Sequence, residues 1–396
     1  MCISATACVR QRTVPSEVCV TISIAILQIL LASCSPRQAA LFSTPTVTAS
    51  PPPLSPADTP VVRSAPTSTP TRAATRTPLN PPIARDNLRR LSILASWETG
   101  PLRDLAFARD SSWFAASQDD GLHAYFVPTL EEELIVPDVL DFAFSGDGSA
   151  LLVTSFFGET AVYDPRDLSR PPERPASAPC RLQYDFALGN AASTLASAWE
   201  IRGGRNELPV WAVGLASARS RECLEILPAI DGEVVSIEFD GADSYLATST
   251  TWSTTFVWSI AENRLSCALR GFDSRFNPSE PTIAVFEGPL IVLWDPTTCQ
   301  VVHRLGGMPD DSFPWLVDDL MDFTPDGILL AAALGPALLF WDTDDVELVH
   351  QIDLAPQTFE RVAISPDGRY MVTENHEWIE GAVSLDGRLL LWAVED

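Results

Sequence analysis

Not one of the 26 cationic side chains in this 396-residue chain is a lysine. That absence excludes a Walker phosphate loop, a Schiff-base enzyme and a catalytic lysine dyad, because each needs the amine. Histidine is nearly as scarce, with His123, His303, His350 and His376 scattered singly. No cysteine pair has the CxxC spacing of a zinc site, and no G-x-S-x-G nucleophile elbow occurs. The acidic doublets Asp119-Asp120, Asp310-Asp311 and Asp344-Asp345 lack the ligand spacing of a calcium loop. The sequence therefore offers no catalytic residue, no metal ligand set and no cofactor motif.

What is present is uneven. The first 85 residues carry seven Arg and two acids, a net charge of +5, whereas the remainder carries 19 Arg and 50 acids, a net charge of −31. A body so negative repels phosphate backbones, so nucleic acid is not an expected partner. Its acids are read as a soluble surface rather than a dedicated cation site.

The longest uncharged apolar run is Val18 to Ala32, preceded by Arg10 and Arg12. Fifteen residues are too few to span a bilayer but suit the apolar region of a secretory signal. The run ends Leu31-Ala32-Ser33-Cys34, which resembles the lipobox of bacterial lipoproteins. The resemblance implies cleavage before Cys34, its acylation, and anchoring of an extracytoplasmic protein to the cell membrane. Residues 34–85 are rich in Pro, Ser and Thr, and too poor in apolar surface to fold. They read as a disordered tether, reaching at most about 150 Å at roughly 3 Å per residue. Residues 1–33 are thus expected to be a signal peptide, 34–85 a tether and 86–396 one folded domain.

The folded part repeats. Segments such as DFAFSGDGSALLVTS at 141, LMDFTPDGILLAAA at 320 and RVAISPDGRYMVTE at 361 recur seven times. Their anchors are Phe107, Phe144, Phe186, Phe239, Phe276, Phe323 and Ile364, on average 43 residues apart, the length of a four-stranded propeller blade. In each copy alternating residues make a strand, Asp-Gly (Asp147-Gly148, Asp326-Gly327, Asp367-Gly368) suits a tight turn, and a second strand returns. The run Leu329 to Ala333 reads as a strand buried on both faces. A third strand then ends on an aromatic: Trp258, Trp294-Asp295, Trp341-Asp342, Trp392, and more loosely Tyr163-Asp164 and Trp211.

These endings resemble the WD dipeptide of WD40 repeats, whose Trp packs between blades and whose Asp caps the next turn; the SPDG and TPDG turns also resemble TolB-type repeats. The resemblance covers about residues 88–394 and lacks the Gly-His pair that opens a WD40 repeat. It implies an all-β, seven-bladed propeller of four-stranded antiparallel blades. The chain ends on a third strand, Arg388 to Val394, so residues 89–97 are expected to complete the last blade and remove an open edge.

Cys2, Cys8 and Cys19 leave with the signal, and Cys180, Cys223, Cys267 and Cys299 remain. In an exported domain they allow three disulfide connectivities, or free buried thiols. All four fall in connecting or outer-strand segments, where neighbouring blades could present them to each other.

The sequence His376-Glu377-Trp378-Ile379-Glu380 begins like the HExxH zinc motif but has Glu380 where the second His belongs, between strands rather than on a helix. It reads as a polar surface loop, part of an insertion from Glu374 to Ser384. In propellers of this kind the loops between second and third strands, and those between blades, gather on one face. Here those loops hold Phe156, Phe157, Trp199, Trp252, Trp315, His376 and Trp378, the candidate binding residues, and aromatics in exposed loops are enriched at binding hot spots. For each Trp the structural alternative is packing against its own blade. The function expected is a non-enzymatic, monomeric interaction module that binds an envelope or extracellular protein or peptide. The alternatives are a metal-assisted, lactonase-like hydrolase and a glycan-binding propeller.

Overall fold

The computed structural model describes residues 80–395, apart from 156–158, 169, 174–185, 190–193, 202–209, 218–222, 229, 307–318 and 380–381. Cys34, Phe156, Phe157, Cys180 and Trp315 lie outside the described residues. The chain forms a seven-bladed all-β propeller of antiparallel blades.

Strand β1 (Leu91–Thr99) precedes the first blade, which is β2 (Asp104–Phe107), β3 (Trp113–Gln118), β4 (Gly121–Phe126) and β5 (Glu131–Pro137). The second blade shows β6 (Val139–Phe144), β7 (Leu151–Ser155) and β8 (Thr160–Tyr163) among the described residues. The third is β9 (Phe186–Leu188), β10 (Thr194–Ile201), β11 (Val210–Ser217) and β12 (Cys223–Ile226), with the short β13 (Ile230–Asp231) also pairing β11. The fourth holds β14 (Val234–Phe239), β15 (Tyr245–Thr250), β16 (Thr254–Ser259) and β17 (Arg264–Arg270); the fifth, β18 (Phe272–Phe276), β19 (Ile283–Glu287), β20 (Leu290–Asp295) and β21 (Gln300–Leu305). The sixth is β22 (Met321–Phe323), β23 (Leu329–Leu334), β24 (Ala337–Asp342) and β25 (Glu347–Asp353). The seventh is β26 (Gln357–Ile364), β27 (Tyr370–Ile379) and β28 (Ala382–Val394), and β1 is its outer strand, pairing from Leu91↔Val394 to Thr99↔Gly387. The expected closure is there, and the blade edge that β1 covers is one fewer template for aggregation.

Register explains the repeat. The last residue of each inner strand pairs with a residue seven positions later: Phe107↔Phe114, Phe144↔Leu151, Leu188↔Leu195, Phe239↔Leu246, Phe276↔Ile283, Phe323↔Leu330 and Ile364↔Met371. The third anchor is therefore Leu188, not Phe186, which pairs with Ser197. Because side chains alternate with period two, a two-residue error keeps the same face and hides in the sequence. On the third strands the place beside these pairs belongs to Tyr125, Tyr163, Trp258, Trp294, Trp341 and Trp392, and in the third blade to Ala216. Trp211 instead faces Glu200 near the other end of its hairpin, so the loose match at Val210-Trp211-Ala212 is corrected. Asp342 Oδ1 accepts the Asp344 and Asp345 N–H groups at 3.1 and 3.0 Å, the cap that the WD-like ending implies.

Three of the turns between first and second strands share one chemistry. Ser145 Oγ donates to Asp147 Oδ1 at 2.8 Å and accepts from Ala150 N at 2.9 Å. Thr324 does the same with Asp326 and Leu329 at 2.6 and 3.0 Å, and Ser365 with Asp367 and Tyr370 at 2.7 and 2.9 Å. Gly327 follows with φ +74°, and a Cβ there would meet Asn277 Oδ1 of the neighbouring blade at 2.2 Å, so glycine is required twice over.

Seven apolar clusters fill the seven seams between blades. Trp341, Phe286 and the Leu330, Ala332 and Leu334 side chains of the wholly buried β23 fill the seam between fifth and sixth blades, while among the described residues Ala150, Leu152, Leu188 and Leu195 form the buried cluster between the second and third. At about 1.5–3 kcal/mol per large apolar side chain buried, these seams hold the ring together. Cys267 on β17 and Cys299 before β21 form a disulfide that adds a covalent tie between the fourth and fifth blades. Of the other two cysteines, Cys223 lies on β12 with its side chain outside the described residues.

Candidate functional site

A propeller has two ends, and topology sorts its loops between them. The end with the first-to-second-strand turns also receives the chain: Ile83 N donates to Gly368 O at 2.7 Å, Ile83 and Leu88 insert into the seam between the sixth and seventh blades, and Arg85 pairs with Asp342, Asp345 and Glu347. The chain leaves there too, since Glu395 N donates to Arg90 O at 3.0 Å. This is the turn end. The second-to-third-strand hairpins and the links between blades lie at the other, the hairpin end.

The hairpin end is where the blades differ. From the second-strand partner to the third-strand position the spacing is 11 or 12 residues in five blades, but 21 in the third (Leu195 to Ala216) and in the seventh (Met371 to Trp392). The segment from Glu374 to Ser384, expected as a loop insertion, is mostly a continuation of β27 and β28, paired out to Ile379↔Ala382.

The predicted aromatics fare differently. Trp252, in the turn between β15 and β16, is 52% exposed, its Cγ 3.2 Å from where a Cβ on Gly232 would sit. Trp199 packs on its own blade: a Cβ on Gly214 of the paired strand would lie 2.5 Å from its Cη2. Trp378 is paired with Val383 in the extended hairpin, and its side chain lies outside the described residues. His376 is not on a polar surface loop. It sits in β27, 5% exposed, because the segment keeps strand period instead of breaking.

His376 belongs to a buried network that sequence reading missed. Its Nε2 lies 2.8 Å from Glu374 Oε1 and 3.6 Å from Glu360 Oε2. Glu374 Oε2 accepts from Arg361 Nη1 at 2.6 Å, and Glu374 Oε1 from Leu102 N at 3.2 Å. Arg361 also donates to the Leu102 and Arg103 carbonyls at 3.2 Å each, so the network bridges the seventh blade to the chain entering the first. Burial pulls the Glu374 carboxyl up, but Arg361 and His376 outweigh it and hold it below the usual carboxylate range. Burial raises Glu360, with the charge of Glu374 adding to it. The signal that could have found the pair is Glu-x-His read at strand period, which puts Glu374 and His376 on one face; the HExxH reading imposed helical period.

A second cluster lines the axis, which the innermost strands surround. Arg275 on β18 reaches Asp319 at 2.7 Å, Glu238 of β14 at 3.7 Å and Asp322 of β22 at 3.9 Å. Three carboxylates also tie one blade to the next: Glu238 accepts from Phe276 N at 3.1 Å, Asp273 from Leu320 N at 3.1 Å and Asp322 from Ile364 N at 2.7 Å. Burial pushes the Glu238 carboxyl up to about 8, with Arg275 pulling against it. Four acidic side chains, Glu238, Asp273, Asp319 and Asp322, surround the one guanidinium of Arg275.

No protein-family model matches the chain, and no curated relative is similar to it.

Proposed function

We propose that this chain is a lipid-anchored, extracytoplasmic propeller that binds a protein or peptide at its hairpin end and acts as a scaffold rather than an enzyme. The observation that carries the reading is the polarity of the ring. The chain joins the propeller at the turn end, so a tether from Cys34 would leave the hairpin end, with exposed Trp252 and the two lengthened hairpins, facing away from its attachment. A disulfide between Cys267 and Cys299 accords with an oxidising compartment. The net charge of −31 beyond residue 85 favours a partner segment bearing Arg or Lys.

Photo-crosslinking in intact cells tests this. A crosslinker at position 252 should capture a defined partner, and one at position 326 on the turn end should not; equal capture from both, or none from 252, overturns the assignment of the face. Cys34→Ser should release the protein from the membrane fraction, and continued tight association would remove the anchor from the reading.

A further inference from the structure

We infer that Glu360, Glu374 and His376 form a binding site for one divalent transition-metal ion, with zinc the best match to one imidazole and two carboxylates. The site lies at the base of the lengthened seventh-blade hairpin, and the inference requires neither Trp252 nor a bound partner.

One atom from each residue converges within 4.8 Å of the others. Around a tetrahedral zinc with bonds of about 2.0–2.2 Å, donors stand roughly 3.4 Å apart. The 3.6 Å from His376 Nε2 to Glu360 Oε2 fits that span, and the 2.8 Å to Glu374 Oε1 needs to open by only a fraction of an ångström. The backbone explains the convergence. Glu374 and His376 are two apart on one strand, and Glu360 is the bulged residue of β26, where the register slips between Phe359 and Arg361. A bulge re-aims a side chain, and here it turns Glu360 toward its neighbours on β27.

The surroundings resemble the outer shell of a metal site. Arg361 holds Glu374 by its far oxygen, Oε2, and the Leu102 N–H donates to the near one, Oε1, as outer hydrogen bonds orient ligating carboxylates. Gly387 faces His376 across the sheet, and a Cβ there would stand 3.1 Å from both His376 Cε1 and Thr99 Oγ1. Thr99 is 8% exposed, and its hydroxyl has no hydrogen-bond partner among the described residues. A buried orphan hydroxyl beside the imidazole is the group that a metal-bound water would satisfy. Access comes through Glu360, whose side chain is 25% exposed, while Glu374 and His376 are buried. Three protein ligands leave a fourth position open.

The test is metal content of the whole folded chain, stripped with a chelator, loaded with zinc and dialysed, together with the visible spectrum after cobalt(II) loading. The expected result is one zinc per chain and a tetrahedral cobalt spectrum, both lost in His376→Ala, with affinity at least tenfold weaker in Glu360→Gln. Glu360→Gln guards against misfolding, because its side chain is partly exposed and circular dichroism should match the parent. No retained zinc, or retention unchanged in both variants, overturns the site and assigns any bound metal to surface carboxylates.

Discussion

The two ends of this propeller are built to different rules. At the turn end the second strand begins at a constant register, and three turns repeat one Ser/Thr–Asp–Gly hydrogen-bond pattern. At the hairpin end the spacing nearly doubles in two blades, and Trp252 is left in solvent. Regularity follows from satisfying buried backbone groups, which tolerates few alternatives. Variation collects in the hairpin tips, where the backbone is paired within its own hairpin.

Arg361→Ala should have the largest effect, about 3–5 kcal/mol, because it strands the buried Glu374 carboxylate and frees two carbonyls at the ring closure. It sharpens the contrast by showing that the hairpin end carries fold energy where the ring is closed; urea unfolding measures it, and a loss under about 1 kcal/mol would contradict the role. Thr324→Val keeps the shape of a turn residue and removes the hydroxyl's hydrogen bonds to Asp326 and Leu329, costing about 1–3 kcal/mol with crosslinking from position 252 unchanged. Loss of crosslinking without loss of stability would break the comparison.

Glu238→Gln tests the axis between the ends. Its carboxyl titrates at about 8 in the folded chain against an ordinary 4.5, so the folded state holds more protons between those limits. Its contribution to stability is full below pH 4.5 and declines as pH rises toward 8, by up to about 1.4 kcal/mol per pH unit. Glu238→Gln should flatten that decline in unfolding curves taken at about pH 5 and about pH 8, on either side of the window; an unchanged slope removes Glu238 as its source. Trp252→Ala should be the mildest, within about 0.5 kcal/mol of the parent stability. A loss above about 2 kcal/mol would mean that this ring supports the fold after all.

Blade number and closure were legible because they rest on local signals: alternating residues, Asp-Gly turns, and the strand-like segment at 89–97 that now lies against β28. The third anchor was misplaced because Phe186 looks the part and Leu188, on the same face, does not. Tyr125 went unnoticed in the first blade because it is neither a Trp nor followed by an Asp. Trp199 and Trp252 could not be told apart, since what separates them is Gly214 on a paired strand and a turn left open to solvent. The Arg361 network was invisible: its bonds to Leu102 and Arg103 join residues 259 and 258 positions apart.

By itself, then, the sequence determined the ring, because the strands of each blade are written in contiguous residues by their period and turn chemistry, except for the seventh blade's outer strand, which the strand-like segment at 89–97 supplies. Only the tertiary structure decided which end is free, how Arg275 gathers carboxylates from neighbouring blades, and that His376 is buried between two of them. Those depend on side chains brought together across seams, a matter of closure geometry that no local pattern encodes.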